Sequence, residues 1–600
     1  MSTGTTDHPA IRDTVAHLRP DAWAAANRAL VRKALAEFAH EKLLCPAPEG
    51  EGRYTVRSDD GTVAYRFAAR RMALDHWQID PHSITRHQGE AELALDAADL
   101  ILELRGSLGL SDEVLPVYLE EINSTLSSAA YKLSRAHVSA AELSRAGFQA
   151  VESGMTEGHP GFVANNGRIG FDIEEFHQYA PEAASPVRLI WLAAHRDRTV
   201  FTSCSDIDYD SLIEQELGGA QRGRFEAVLT DLGLNPADYF FFPVHPWQWT
   251  NRISITFAGE VATRRLVPLG QGEDAYLPQQ SIRTFFNTDR SERRYVKTAI
   301  SVLNMGFMRG LSAAYMEATP AINDWLAVLI AGDPVLRGTG LAILREQAAI
   351  GYRHPQYEAA TDRFSPYRKM LAALWRESPI PALAPGERLA TMASLLHTDR
   401  EGKSLAVSFI AASPLPPEVW LRRYLDAYLT PLLHSFYAHD LAFMPHGENV
   451  ILVLDEDGTV VRAVFKDIAE EIVIMDPEAD LPETVRRIRA EIPDEMRLLS
   501  IFTDVFDNFL RYLSALLDEA RTLGEDDFWR TVAECVHDYR KAVPHLAERF
   551  ERFDIFAAAF PRSCLNRLQL RNNRQMVDLA DPSAALQLIG ELDNPLAPYA

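Results

Sequence analysis

Apolar positions recur at helical spacing near the start of the chain. Trp23, Leu30, Val31, Leu35 and Phe38 fall roughly on one face, with Asp21 where a cap would stand. The period changes at RYTVRSDDGTVAYRF (residues 53–67), which alternates on either side of Asp60-Gly61 and predicts a hairpin. Helical spacing returns over 91–104 and 112–143, so the first 150 residues read as mainly helical. The middle of the chain differs. RLIWLAAH (188–195), YFFFPVHP (239–246) and RYVKTAISVL (294–303) are short apolar runs closed by turn residues or charges. They predict strands in an α+β lobe. Residues 313–400 read as helical again, broken by SPIPALAPGE (378–387), a linker or surface loop. A long helix is predicted over 421–439. A hairpin follows, in which NVILVL (449–454) and TVVRAVF (459–465) flank the turn DEDG. Helices fill the remainder, and no internal repeat is visible.

Length then bounds the architecture. Six hundred residues exceed one ordinary core and imply two to four domains or one multi-lobed enzyme. The chain carries 60 basic and 84 acidic side chains, a net charge of −24. That balance argues against non-specific nucleic-acid binding and against anionic membrane surfaces. Cys45, Cys204, Cys535 and Cys564 are scattered, with no Cys-x-x-Cys pair for a zinc ribbon or a redox motif. No basic stretch followed by an apolar one opens the chain, and no uncharged apolar run reaches about 18 residues. A soluble, cytoplasmic protein without a membrane partner is expected. Familiar nucleotide and hydrolase motifs are missing: HTDREGKS (397–404) lacks the first glycine of a phosphate loop, and no G-x-S-x-G or H-E-x-x-H occurs.

Candidate chemistry lies elsewhere. In MPHGENVILVLDEDGTVVRAVFKDIAEE (444–471), the hairpin brings Asn449 and Asp467 to one mouth. An amide oxygen and a carboxylate are the pair that kinases use to hold magnesium on phosphates, and Glu470 or Glu471 would add a hard oxygen. Read singly, Asn449 is equally a turn residue and Asp467 a solvated strand end. PQQSIRTFFN (278–287) gathers Ser281, Arg283 and Thr284, two hydroxyls and a guanidinium suited to a phosphate, or else an edge strand with an exposed arginine. Lys297 and Arg309 bracket a nearly uncharged stretch, where they would receive anions or simply flank a buried strand. EGHPGFVANNGRIGF (157–171) is a glycine-rich loop with His159, whose amides would approach a phosphate or a base. His245, between two prolines, reads as a packed residue. The basic, amide-rich segment 568–579 receives no role.

Together the ordered motifs EGHP (157–160), VHPWQ (244–248), S-x-R-T (281–284), K-T-x-x-S (297–301), RG (309–310), HGEN (446–449) and KD (466–467) resemble the siderophore synthetases that work without a nonribosomal peptide template. This is the family of the aerobactin and achromobactin synthetases, and the wording is nearest its desferrioxamine branch. Many relatives read H-P-x-H-P-x-x-K in the first loop. Here Phe162 and Asn166 replace the second His and the Lys, so only Gly158 and His159 of that loop are assigned. The resemblance implies an ATP-dependent acid–amine ligase that forms AMP and pyrophosphate. It implies an α+β, multi-lobed architecture with a helical thumb (1–156), α+β fingers bearing the ATP-binding loops (157–377) and a kinase-like palm (378–600) that carries the HGEN loop and the Asp467 hairpin. ATP would be held by Gly158, His159, Ser281, Arg283, Thr284, Lys297, Glu448, Asn449 and Asp467, and Mg2+ by Asn449, Asp467 and Glu470. Arg309, His446 and Lys297 would act on the carboxylate and the phosphorus centre. The implied substrate is N-hydroxy-N-succinylcadaverine, joined and closed to desferrioxamine by a homodimer. A citrate-based hydroxamate synthetase of the same family, a small-molecule phosphotransferase and a non-enzymatic siderophore or nucleotide binder stay open.

Overall fold

The computed structural model of the chain describes residues 11–155, 158–572 and 587–600. Helix α1 (Pro20–His40) forms where the spacing asks for it. Pro20 occupies the first turn, where a missing N–H costs nothing, and Leu30, Val31, Leu35 and Phe38 are buried. Asp21 does not cap this helix; it lies inside the first turn, 3.0 Å from the Arg19 guanidinium. Helix α2 (Leu115–Ser134) packs back on α1. The hairpin over 53–67 is present as Arg53–Arg57 against Val63–Met72, but it belongs to a six-stranded sheet between Ala47 and Leu93. The expectation of a mainly helical N-terminal lobe is therefore corrected. Strands as short as Ala91–Leu93 show too few positions for a period of two to stand out.

In the middle of the chain, Ile190–His195 and Tyr239–Val244 are strands as expected and pair with Leu266–Gln271. The principal sheet contains β1 (Thr199–Ser203), β2 (Tyr276–Pro278), β3 (Thr284–Asn287), β4 (Tyr295–Thr298), β5 (Glu346–Tyr352) and β6 (Ala372–Arg376). Its order is β2-β3-β4-β6-β5-β1, with every pair antiparallel. The helical reading of 313–400 holds for α3 (Thr319–Gly332) and α4 (Pro334–Gly338) and fails for β5, β6 and β7 (Arg388–Thr391). Strands β5 and β6 are buried on both faces, so their sequences lack the alternation that separates a strand from a buried helix. The stretch 378–387 is a surface loop with one tight turn, Ile380–Ala382.

The long helix α5 (Pro417–His439) runs through its interior Pro431. It precedes the hairpin of β8 (Val450–Leu454) and β9 (Val460–Phe465), which joins β7 and the short strand Ala342–Ile343 in a second sheet. Helix α6 (Glu525–Ala542) lies along α5. Helices and antiparallel sheets in separate layers make an α+β architecture. The three largest buried clusters centre on the N-terminal lobe, the principal sheet and α5. The cluster around α5 recruits Ile322, Leu326, Ile330 and Leu336 from α3 and α4, so the cores do not divide at residue 377. Among the described residues no helix is long and apolar enough to cross a membrane.

Candidate active site

Strand register assembles the site. Residues directly opposite across antiparallel strands point the same way, and neighbours two apart share a face. Thr284 of β3 stands opposite Lys297 of β4, Tyr295 opposite Arg376 of β6, and Arg376 opposite Glu346 of β5. These side chains leave one face of the principal sheet. Phe285, Val296 and Trp375 alternate with them and fill the core on the other.

The second sheet delivers the carboxylates. Lys466 N–H donates to the Asn449 carbonyl at 2.9 Å, which brings Asn449 and Asp467 to one mouth of the β8–β9 hairpin. Asp467 is left-handed (φ 60°) and starts the single helical turn Ile468–Glu471, which presents Glu470 and Glu471. Lys297 Nζ donates to Asp467 Oδ1 at 2.7 Å and to Glu470 Oε2 at 2.9 Å. Arg376 donates to the same Asp467 oxygen and lies 3.4 Å from Glu346. Arg283 sits 3.7 Å from Glu470 and donates to the Gly310 carbonyl at 2.6 Å. Asn449 Nδ2 donates to Glu471 Oε2, and His446 Nε2 lies 3.6 Å from that oxygen.

Loops close the group. The His159 ring is 6.2 Å from that of His446. Gly158 is required there, because a Cβ would lie 2.8 Å from the Asn165 carbonyl oxygen. Arg309 leaves a two-residue hairpin turn in which Met305 (φ 53°) and Gly306 (φ 71°) are both left-handed, and it donates to the Asn304 carbonyl at 3.0 Å. Ser281 Oγ donates to Thr284 Oγ1 at 2.9 Å across a turn that holds the β-branched Ile282 at φ 61°. Such a conformation costs about 1–3 kcal/mol and persists where the surroundings over-determine it.

Burial sharpens the electrostatics. Burial disfavours the Lys297 ammonium, yet Asp467 and Glu470 overcome that and raise its pKa. Asp467 is likewise buried, and the Arg376 and Lys297 charges hold it well below the usual carboxylate range. Glu471 moves the opposite way: burial first, then the charge of Asp467, pushes its pKa well up. Burial and the neighbouring Arg283 bring Arg309 down to about 10, which leaves it charged at neutral pH. Burial lowers His446, and takes His159 down to about 3, so both imidazoles are neutral at pH 7.

Most of the residues singled out in the sequence thus converge: His159, Arg283, Thr284, Lys297, Arg309, His446, Asn449, Asp467 and Glu470. Ser281 joins through Thr284, and the Glu448 charge is felt by Arg309 and His446. The carboxylates expected as metal ligands pair directly with the cations, and His446 is not one of those cations, because burial lowers its pKa. Arg376 and Glu346 escaped the sequence reading; their signal was an arginine closing the apolar run AALWR, hidden by the helical reading of that stretch. Phe162 and Asn166 are packing residues, Phe162 against Leu568 and Asn166 bonded to Asn165. His245 is fully buried between Tyr179 and Phe285, apart from the group. Of segment 568–579, residues 573–579 lie outside the described residues, as does Glu157.

The chemistry of this donor set is specific. Among the described residues the buried Nε atoms of Arg283 and Arg309 have no hydrogen-bond partner, which suits an anion. Asp467, Glu470, Glu471 and the Asn449 amide are hard oxygen donors, and burial and then the Asp467 charge disfavour the Glu471 carboxylate. The site fits a polyanion and a divalent cation together.

Residues 147–397 match the IucA / IucC family, and residues 418–578 match the ferric iron reductase FhuF-like transporter family. The putrebactin synthase of Shewanella sp. (strain MR-4) is 49% identical over 588 residues, covering 97% of this chain and 93% of that protein. The aerobactin synthetase IucC of Klebsiella pneumoniae superposes with a TM-score of 0.84 at 29% identity, over 96% of this chain and 99% of that one. ATP-bound IucA from the same organism shares the fold at 17% identity, with a TM-score of 0.73 over 95% and 99% of the two chains. With an ordered motif set, a shared fold and near full-length identity in agreement, the chain belongs to the IucA/IucC family of siderophore synthetases and is an ATP-dependent ligase.

Proposed function

We propose that the protein activates a carboxylate with ATP and condenses it with an amine, joining and cyclising N-hydroxy-N-succinylcadaverine to a desferrioxamine. The observation that carries this reading is the convergence of Lys297, Arg283 and Arg309 on Asp467, Glu470 and Glu471. A carboxylate resists amines because oxide is a poor leaving group. ATP supplies the remedy when bound: the carboxylate oxygen leaves in AMP, and pyrophosphate departs. Ser281, Arg283, Thr284 and Lys297 hold the phosphates, with Gly158 and His159 closing one side. Asn449, Asp467 and Glu470, beside Glu448 and Glu471, hold Mg2+. Arg309 steadies charge that develops at the reacting carboxylate. His446, neutral through burial, serves as a hydrogen-bonding partner and not as a charge.

ATP-bound IucA shares the fold, and a putrebactin synthase shares nearly half the sequence; both support the reading. In the family's terms the lobes around 1–156, 157–377 and 378–600 are thumb, fingers and kinase-like palm, working as a cytoplasmic homodimer. Incubation with ATP, Mg2+ and N-hydroxy-N-succinylcadaverine, followed by mass spectrometry and nucleotide analysis, tests this. Condensed product with AMP and pyrophosphate is expected. ADP in place of AMP would make the protein a phosphotransferase, and no turnover would make it a binder.

A further inference from the structure

A second cluster of metal-ligating side chains lies at the C-terminal end of α5, outside the active site. Asp333 Oδ2 lies 3.0 Å from His434 Nε2 and 2.9 Å from His439 Nε2. The two imidazole rings are 5.7 Å apart and nearly perpendicular, at 83°. Each part of the chain orients one ligand. Asp333 precedes α4, where Oδ1 accepts from the N–H groups of Val335 and Leu336, leaving Oδ2 to face the imidazoles. His434 is buried in α5, and its Nδ1 lies 3.1 Å from the Tyr539 hydroxyl of α6. His439 is the last residue of α5 and is partly open to solvent.

We propose that Asp333, His434 and His439 form a binding site for a divalent transition-metal ion of the Zn2+ class. Two imidazoles and a carboxylate are the borderline donors that such ions prefer over Mg2+. With metal–ligand bonds of about 2.0–2.1 Å, tetrahedral ligands lie roughly 3.3 Å apart, so Asp333 Oδ2 has to part from each imidazole nitrogen by only a few tenths of an ångström, and the three ligand atoms already lie within 4.8 Å of one another. Metal binding puts both imidazole protons on Nδ1. His434 Nδ1–H then donates to the Tyr539 oxygen, the outer contact that fixes a ligating imidazole. His439 is the ligand most open to solvent, so an ion would reach the site from its side. The ion would tie the α3–α4 corner to the end of α5, from which residues 440–445 lead into the His446 loop.

Zn2+ titration of the metal-stripped full-length protein by calorimetry, with Co2+ absorption spectra as a second readout, tests the assignment. Wild type is expected to bind Zn2+ at this site and to give the visible bands of four-coordinate Co2+, which His439→Ala should lose. His439→Ala should weaken this site at least 10-fold, and Tyr539→Phe by about 10-fold, the usual range for an outer contact. His439 is partly exposed, so its variant is expected to fold, which circular dichroism checks. Equal affinity and equal Co2+ spectra in wild type and His439→Ala, or no binding by either, would leave Asp333 an ordinary helix cap held by two imidazoles and overturn the proposal.

Discussion

Lys297 shows how little of its role a single residue reveals. In the sequence it closes a charged flank, whereas in the structure it is buried and bonded to two carboxylates 170 and 173 residues away. Arg309 is different, since among the described residues its side chain bonds to one carbonyl and its Nε is unpartnered. Arg309→Ala should therefore fold and lose roughly 100-fold or more in pyrophosphate release, the scale for removing a charge-stabilising group. Near-normal turnover would take Arg309 out of the site. Cys204 is the counter-case. Its Sγ–H donates to the Pro320 carbonyl at 3.4 Å, and burial keeps the thiol protonated. Cys204→Ser should keep activity within about twofold; an inactive, well-folded variant would reveal a thiol function. Residue types in the motifs were legible because the phosphate and magnesium sites proposed for them call for particular donors. Arg376 was not, since an arginine closing an apolar run looks like any other until its partners are known.

At the level of elements, the hairpins and the short apolar runs 188–195, 239–246 and 294–303 were readable as strands, and the buried strands β5 and β6 were not. The turns at Asp60-Gly61 and DEDG announce themselves, whereas β5 and β6 carry no alternation. Loops nonetheless set the fine placement of the site. A Cβ on Gly447 would lie 2.9 Å from Ala393 Cα and 3.0 Å from Phe509. Gly447→Ala should shift the loop between His446 and Asn449 and lower pyrophosphate release at least 10-fold while the fold survives, as circular dichroism would show. Unchanged turnover would mean that the loop can give way. His245 caps the turn Pro246–Gln248 by accepting from Trp247 N–H at 3.0 Å, and burial holds its pKa at about 3. Unfolded, it takes up a proton near pH 6.5. The unfolded state thus binds the extra proton as pH falls from about 6.5 toward 3, and stability present above that window is lost within it. Asn keeps the cap and has no proton to gain. Urea midpoints for His245→Asn should fall less than those of wild type between pH 7 and pH 5; parallel falls would disprove this account.

On the scale of the whole molecule, the site lies where lobes meet. Lys297 comes from the principal sheet, Asp467 from the second sheet, and His159 from a loop whose Val163 and Ala164 belong to the N-terminal core. Order along the chain was legible as motif order; contact was not, because such pairings join residues 170 or more positions apart. The cores also cross the expected boundary. A fragment beginning at residue 378 lacks Ile322, Leu326 and Leu336 from the cluster around α5 and should show no cooperative thermal transition. The mutual pairing of Lys297 with Asp467 and Glu470 has a last consequence. At rest these opposite groups satisfy one another, so a newcomer of either sign finds its seat taken. A nucleotide arriving alone competes with acids for the lysine, and a cation arriving alone competes with the lysine for the acids. Arriving together, they exchange partners at no net loss of pairing. Under the proposed function each guest should then improve the other's affinity by an equal factor. Calorimetry should find ATP held at least 10-fold more weakly in excess EDTA than in Mg2+.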